Sequence, residues 1–357
     1  MRRVIVALSV AILAAAAIPA QQTPPEIPYD GDIGFLKLPP NVYFGEVAGV
    51  AVNSQRHVFV FSRGSTTGPA YGAAAAQLLE FDRNGAFVRE IGKNLYAMSY
   101  AHSVRIDRDD NIWIVDKGSD MVVKLHPDGR VAMVFGRKKE ASDDAVPWTR
   151  VTPPRAHVDG QFRQPTDVTW DTQGNIFISD GYINSRVAKF TRDGDWVKSW
   201  GEKGTKDGEF DTPHSIVSDA QGNIYVADRG NRRIQVFDAD GRFLRSIAVN
   251  VPVPPDAKPA IGNPPAAEVT GTQAPGAPWA LCITPGPNQV LFMSDAFPGR
   301  IYKLSLDGRV LGVLGKSGKQ PKQFGWIHEI ACPSENELYV AELLNWRVQK
   351  LALRAPQ

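Results

Sequence analysis

The chain has few of the groups that staple or polarise a protein. Two cysteines, five methionines and six histidines occur in 357 residues, 22% of residues are charged, and 40 basic side chains stand against 38 acidic ones. That balance excludes a polybasic nucleic-acid binder, because phosphate affinity rests on a surplus of Lys and Arg. A hydrophobic content of 43% excludes a disordered chain. A chain this long can bury a sizeable core without disulfides. Cys282 and Cys332 take similar places in neighbouring repeats, which leaves a bridge open, but two packed free thiols are the expectation. The apolar run from Val4 to Ile18 is short for a bilayer span, which needs about 20 residues. With Arg2 and Arg3 before it and Pro19-Ala20 after it, it is expected to be a secretory signal over residues 1–20. The mature chain is then near neutral and expected to be secreted or periplasmic. No nucleic-acid partner and no stable membrane insertion are anticipated, and a monomer is the default.

What the sequence does have is an internal repeat, and a period of roughly 40–50 residues signals a propeller or a solenoid. Six copies begin at Ala48, His102, Thr166, His214, Trp279 and His328. Each reads as an alternating first strand, a turn such as Asp171 to Asn175, a β-branched and aromatic second strand such as IFISD, a third strand and a Gly-containing turn, then a fourth strand. Four-stranded antiparallel units repeated radially predict an all-β, six-bladed β-propeller over residues 45–353. The sixth copy stops after three strands. Its fourth strand must come from residues 21–44, where Phe35 to Phe44 is the candidate. Two insertions interrupt the repeat, 137–164 and 250–278; the second, rich in Pro, Ala and Gly, is expected to be a surface loop that serves as lid or filler.

Three of the six histidines, His102, His214 and His328, open the first strand of copies two, four and six. First strands line a propeller's channel, and alternate blades of six are related by threefold rotation. These imidazoles should therefore converge near the axis, while the odd copies carry Ala48, Thr166 and Trp279 there. Three histidines with an open fourth position form the pattern of a catalytic zinc site. Single histidines in channel walls more often just hydrogen-bond, but three at one register position on alternate blades point to a metal. His57, His126 and His157 carry no functional expectation.

The same register places Arg63 and Arg229 at the end of the second strand in blades facing each other, where two guanidiniums suit a small carboxylate. Tyr182 occupies the corresponding turn of copy three, and a phenol near a metal can act as a base. Asp180 with Arg186, Asp228 with Arg233 and Asp295 with Arg300 recur blade after blade, which argues for architecture.

These residues also carry a family likeness. The D-x-x-N-x-R-[IV] core resembles NHL repeats. The stretches GVAV at Gly49, FSRG at Phe61, GKNL at Gly92, QPTDV at Gln164, SDGYINSR at Ser179, PHSI at Pro213 and ADRGNRRIQVF at Ala227 resemble the catalytic domain of peptidyl-α-hydroxyglycine α-amidating lyase, a six-bladed propeller. The resemblance implies zinc on His102, His214 and His328, a substrate-side arginine at Arg63, a second at Arg229 and a catalytic tyrosine at Tyr182. It also implies a structural calcium held by Val50, Val104 and Glu329, the last standing where the family has Asp. Ile183 replaces a family cysteine, and Trp326 replaces a methionine before the third histidine.

The expected function is that of a secreted zinc lyase cleaving an N-acyl α-hydroxyglycine to an amide and glyoxylate, on a peptide or small-molecule substrate with a carboxylate. A smaller hemiaminal of the ureidoglycolate type is a variation on it. The alternative of a different class is a non-catalytic NHL propeller that binds protein or peptide partners in the cell envelope. A propeller hydrolase such as a lactonase is a third, which the histidine-rich channel speaks against.

Overall fold

The computed structural model describes residues 24–64, 75–139, 151–265 and 271–354. The expected signal sequence and parts of both expected insertions lie outside the described residues. Six four-stranded antiparallel sheets form the blades of a propeller. Their inner strands are Val47–Val52, Ala101–Ile106, Asp167–Trp170, Pro213–Ser218, Leu281–Ile283 and Ile327–Ser334. Each inner strand neighbours the next, and the sixth neighbours the first, so the ring is closed. Among the described residues the one helical piece is a single 3-10 turn, Arg229–Asn231, and no helix is long and apolar enough to cross a membrane.

The strands read as buried runs because blades stack face to face and cover both faces of the inner strands. The apolar core is accordingly divided into six clusters, one at each seam between neighbouring blades. Phe177, Val187 and Phe210, for example, pack on Ile216, Ile224 and Phe237 between blades three and four. The recurrent acid and arginine pairs are structural, as expected. Asp180 accepts from Arg186, Asp228 from Arg233 and Glu342 from Arg347. Asp295 instead accepts the backbone N–H groups of Gly276, Gly299 and Arg300.

Two expectations need correction. The strand that completes blade six is Tyr29–Asp32, with Tyr29 opposite Leu353 and Asp32 opposite Lys350, and not the stretch from Phe35 to Phe44. Pro39 and Pro40 deny that later stretch the N–H groups of a ladder, and Asn41 turns with φ 66°. It packs instead over the seam between blades six and one, burying Phe44 beside Phe35, Leu36, Leu38 and Val42. Nor are the cysteines free thiols: Cys282 and Cys332 form a disulfide, with a Cα separation of 6.0 Å. They lie on the inner strands of blades five and six, and the closeness of neighbouring inner strands near the axis brings two equivalent repeat positions within bridging distance.

Candidate active site

The three channel histidines are placed by a local irregularity of their strands. The pairing register slips at each one: between Ala101 and Ser103, between Pro213 and Ile216, and between Ile327 and Glu329. A bulge of this kind leaves a residue unpaired and re-aims its side chain. All three imidazoles are buried, their ring centroids lie 4.6 to 4.9 Å apart, and one nitrogen from each lies within 4.8 Å of the others. Among the described residues they are the one His, Cys, Asp or Glu group that could hold a metal ion.

Each ring is locked by the blade that follows it. His102 Nδ1 donates to the Thr166 carbonyl at 2.5 Å, His214 Nδ1 to that of Trp279 at 2.7 Å, and His328 Nδ1 to that of Ala48 at 2.7 Å. The acceptors are the odd-blade residues at the same register position, so the arrangement is threefold. A carbonyl can only accept; each Nδ1 must therefore carry the proton, leaving the Nε2 lone pair for the axis. Burial, helped by neighbouring cations and other imidazoles, holds all three histidines well below their ordinary pKa. They stay neutral, as a metal ligand must.

Tyr182 reaches this centre from the loop after Ile176–Asp180. Its hydroxyl lies 3.2 Å from His102 Nε2 and 3.1 Å from His214 Nε2. Burial pushes the phenol up, but Arg229, Lys117 and Arg63 outweigh it and leave the pKa below its usual value. Arg63 pairs with Glu46, donates to the Ala101 carbonyl at 3.3 Å and stacks on the Tyr100 ring at 3.9 Å. Arg229, buried, lies 4.5 Å from the Trp279 ring and 5.5 Å from that of Tyr182. The expected site residues His102, His214, His328, Tyr182, Arg63 and Arg229 are therefore brought together.

Lys117 belongs with them although the sequence reading passed over it. It follows the second strand of blade two as Arg63 and Arg229 follow theirs, and its Nζ sits 3.8 Å from the Tyr182 ring centroid. The register that located the two arginines would have located it too. Beside Arg229 the wall becomes apolar: Trp279 and Trp326 meet with centroids 5.4 Å apart. The loop before Trp279 is anchored there as well, since Arg232 donates to the Pro275 carbonyl and the Trp279 indole to that of Thr272.

Deeper in the channel, the residues expected to hold calcium come together as something else. Glu329 Oε2 accepts the N–H groups of Val50 at 2.9 Å and Val104 at 3.1 Å, and Arg105 Nε lies 3.1 Å from Glu329 Oε1. The same guanidinium donates to both oxygens of Asp167, to Ser215 Oγ and to the Leu281 carbonyl. Glu329 thus takes two backbone N–H groups on one oxygen and has the Arg105 cation beside the other; burial pushes its carboxyl up to about 8, and the carboxylates raise Arg105 further above its already high pKa despite burial. A donor set for calcium needs converging oxygens free of competing cations. These residues do not fit it.

The NHL repeat family matches residues 210–237, within blade four. The rat peptidylglycine alpha-amidating monooxygenase is 32% identical over 234 residues, which is 58% of this chain and 22% of the rat protein. The peptidyl-alpha-hydroxyglycine alpha-amidating lyase 1 of Drosophila melanogaster is 26% identical over 346 residues, 88% of this chain and 58% of the fly protein. The chain therefore spans less than two thirds of either relative. In fold it is similar to a streptogramin B lyase, with a TM-score of 0.55 at 14% identity over 91% of this chain and 98% of that one. By its repeat, its propeller and these relatives, the chain is a homologue of the peptidyl-α-hydroxyglycine α-amidating lyases.

Proposed function

We propose that the chain is a secreted zinc-dependent lyase that splits an N-acyl α-hydroxyglycine, R-CO-NH-CH(OH)-COO⁻, into the amide R-CO-NH2 and glyoxylate. The observation that carries this reading is the Tyr182 hydroxyl lying 3.1 to 3.2 Å from two Nε2 atoms of a three-histidine centre, with guanidiniums beside it. His102, His214 and His328 would hold the zinc, which when bound supplies a Lewis acid that lowers the pKa of a hydroxyl next to it. Tyr182 takes the proton from the substrate hydroxyl, and its own lowered pKa makes the phenolate accessible. Arg63 and Arg229 grip the carboxylate and fix the hemiaminal carbon under the tyrosine. The hydroxyl oxygen's electrons form the aldehyde double bond, the C–N bond breaks, and the amide nitrogen takes up a proton. Water is neither consumed nor released. Export is supported by the apolar stretch ahead of residue 21 and by the Cys282–Cys332 disulfide, since such bonds persist in oxidising compartments.

Elemental analysis of the purified protein and of a His214→Ala variant, with glyoxylate release from α-hydroxyhippurate followed on both, tests the proposal. The expected result is about one zinc per chain and glyoxylate production, both lost in the variant. Zinc without glyoxylate would discard the reaction, and absence of zinc would discard the site.

A further inference from the structure

The rim of the site alternates cations with aromatic rings. Going round from blade one to blade five, Arg63 lies against Tyr100, Lys117 near Tyr100 and against Tyr182, and Arg229 between Tyr182 and Trp279. Ring faces between like charges offset part of their repulsion. Arg63 has Glu46 as its counter-ion. Lys117 has no carboxylate within ion-pair distance among the described residues, and the Tyr182 and Tyr100 ring centroids lie 3.8 and 5.7 Å from its Nζ. A half-buried ammonium without an anion is costly. Burial together with Arg63 and Arg229 accordingly lowers its pKa, against an opposing pull from Tyr182.

The proposed reaction uses one carboxylate, and two guanidiniums suffice to hold it. The ammonium of Lys117, a point charge on a flexible stem, is the group left to meet a second anion. Its Nζ lies 3.8 Å from the Tyr182 ring centroid, next to the group that the proposed reaction sets against the substrate. We propose that Lys117 is a specificity residue that selects dianionic substrates, N-acyl α-hydroxyglycines bearing a further carboxylate on the acyl portion. This rests on the lyase reading for the identity of the first carboxylate only.

Isothermal titration with hippurate and 4-carboxyhippurate tests the proposal, because neither compound has the hydroxyl that turnover requires. The wild-type protein should bind the dianion about tenfold more tightly, the worth of one charge-assisted hydrogen bond. Lys117→Met should bring the affinity ratio close to one, and Lys117→Arg should retain most of it. Circular dichroism and zinc content establish that both variants are folded. Equal affinities in the wild type, no binding of either compound, or a preference that survives Lys117→Met would overturn the assignment. Glyoxylate release from the two α-hydroxylated counterparts keeps the two claims apart. A Lys117-dependent binding preference without glyoxylate from either would sink the reaction and leave the anion subsite standing.

Discussion

Gly181 shows how finely single residues set this site. A Cβ there would lie 1.8 Å from the Pro213 carbonyl oxygen and 3.0 Å from Thr166 Cγ2. Pro213 immediately precedes His214, Thr166 supplies the carbonyl that locks His102, and Tyr182 follows Gly181 directly. Gly181→Ala would therefore push apart three groups at once. The overpacking should cost about 1–3 kcal/mol, which a closed propeller survives. A displacement near 1 Å at the reacting groups costs on the order of a hundredfold in rate. Thermal denaturation should show a folded variant while glyoxylate release falls by about that factor; near-normal turnover would mean that the loop relaxes without moving Tyr182. At this scale the sequence was legible where residue type and register agreed, as for His102, His214, His328, Arg63, Arg229 and Tyr182. It did not single out Lys117, which shares the register of Arg63 and Arg229 but whose IVDKGSD context reads like any polar turn until a ring face is seen 3.8 Å away.

Among elements, the inner strands carry both the chemistry and the closure. The bulges that aim the histidines are invisible in a pattern of alternating residues, because a single unpaired residue leaves the repeat spacing unchanged. The disulfide joins two of these strands across 50 residues of chain. Closing a loop of that length restricts the unfolded chain by about 4 kcal/mol in the chain-entropy account. A Cys282→Ala, Cys332→Ala double variant should lose roughly 2–4 kcal/mol in urea unfolding, with the same zinc content as the wild type, since neither cysteine is among the residues of the histidine centre. An unchanged midpoint would show that the bridge adds nothing to the closed ring. Repeat equivalence alone could not decide this pairing: it left a bridge open while free thiols were the expectation. Only the approach of adjacent inner strands near the axis, with Cα atoms 6.0 Å apart, settled it.

On the scale of the whole molecule, the channel is tied together by side chains where the resemblance implied a metal. Arg105, on blade two, bonds Asp167, Ser215 and Leu281 of blades three, four and five and pairs with Glu329 of blade six. Glu329 in turn takes N–H groups from Val50 and Val104, so every blade meets this cluster. Removing one partner of a buried ion network strands the others, at about 3–5 kcal/mol. Arg105→Met should therefore lower the melting temperature sharply. The wild-type protein should melt at the same temperature in added calcium and in EGTA. A calcium-dependent rise in the wild type would restore the metal in place of the guanidinium.

The sequence by itself determined the six-bladed ring, because a repeat of four short strands can bury its two faces only against copies of itself. It also determined the histidine centre, because equal register on alternate blades forces convergence on the axis. Tertiary structure alone decided which N-terminal stretch closes blade six, that the cysteines are joined and that Arg105 occupies the channel. Each of these depends on distances between residues far apart in the chain, and on which groups compete for the same buried partner. Periodicity along the chain carries no record of either.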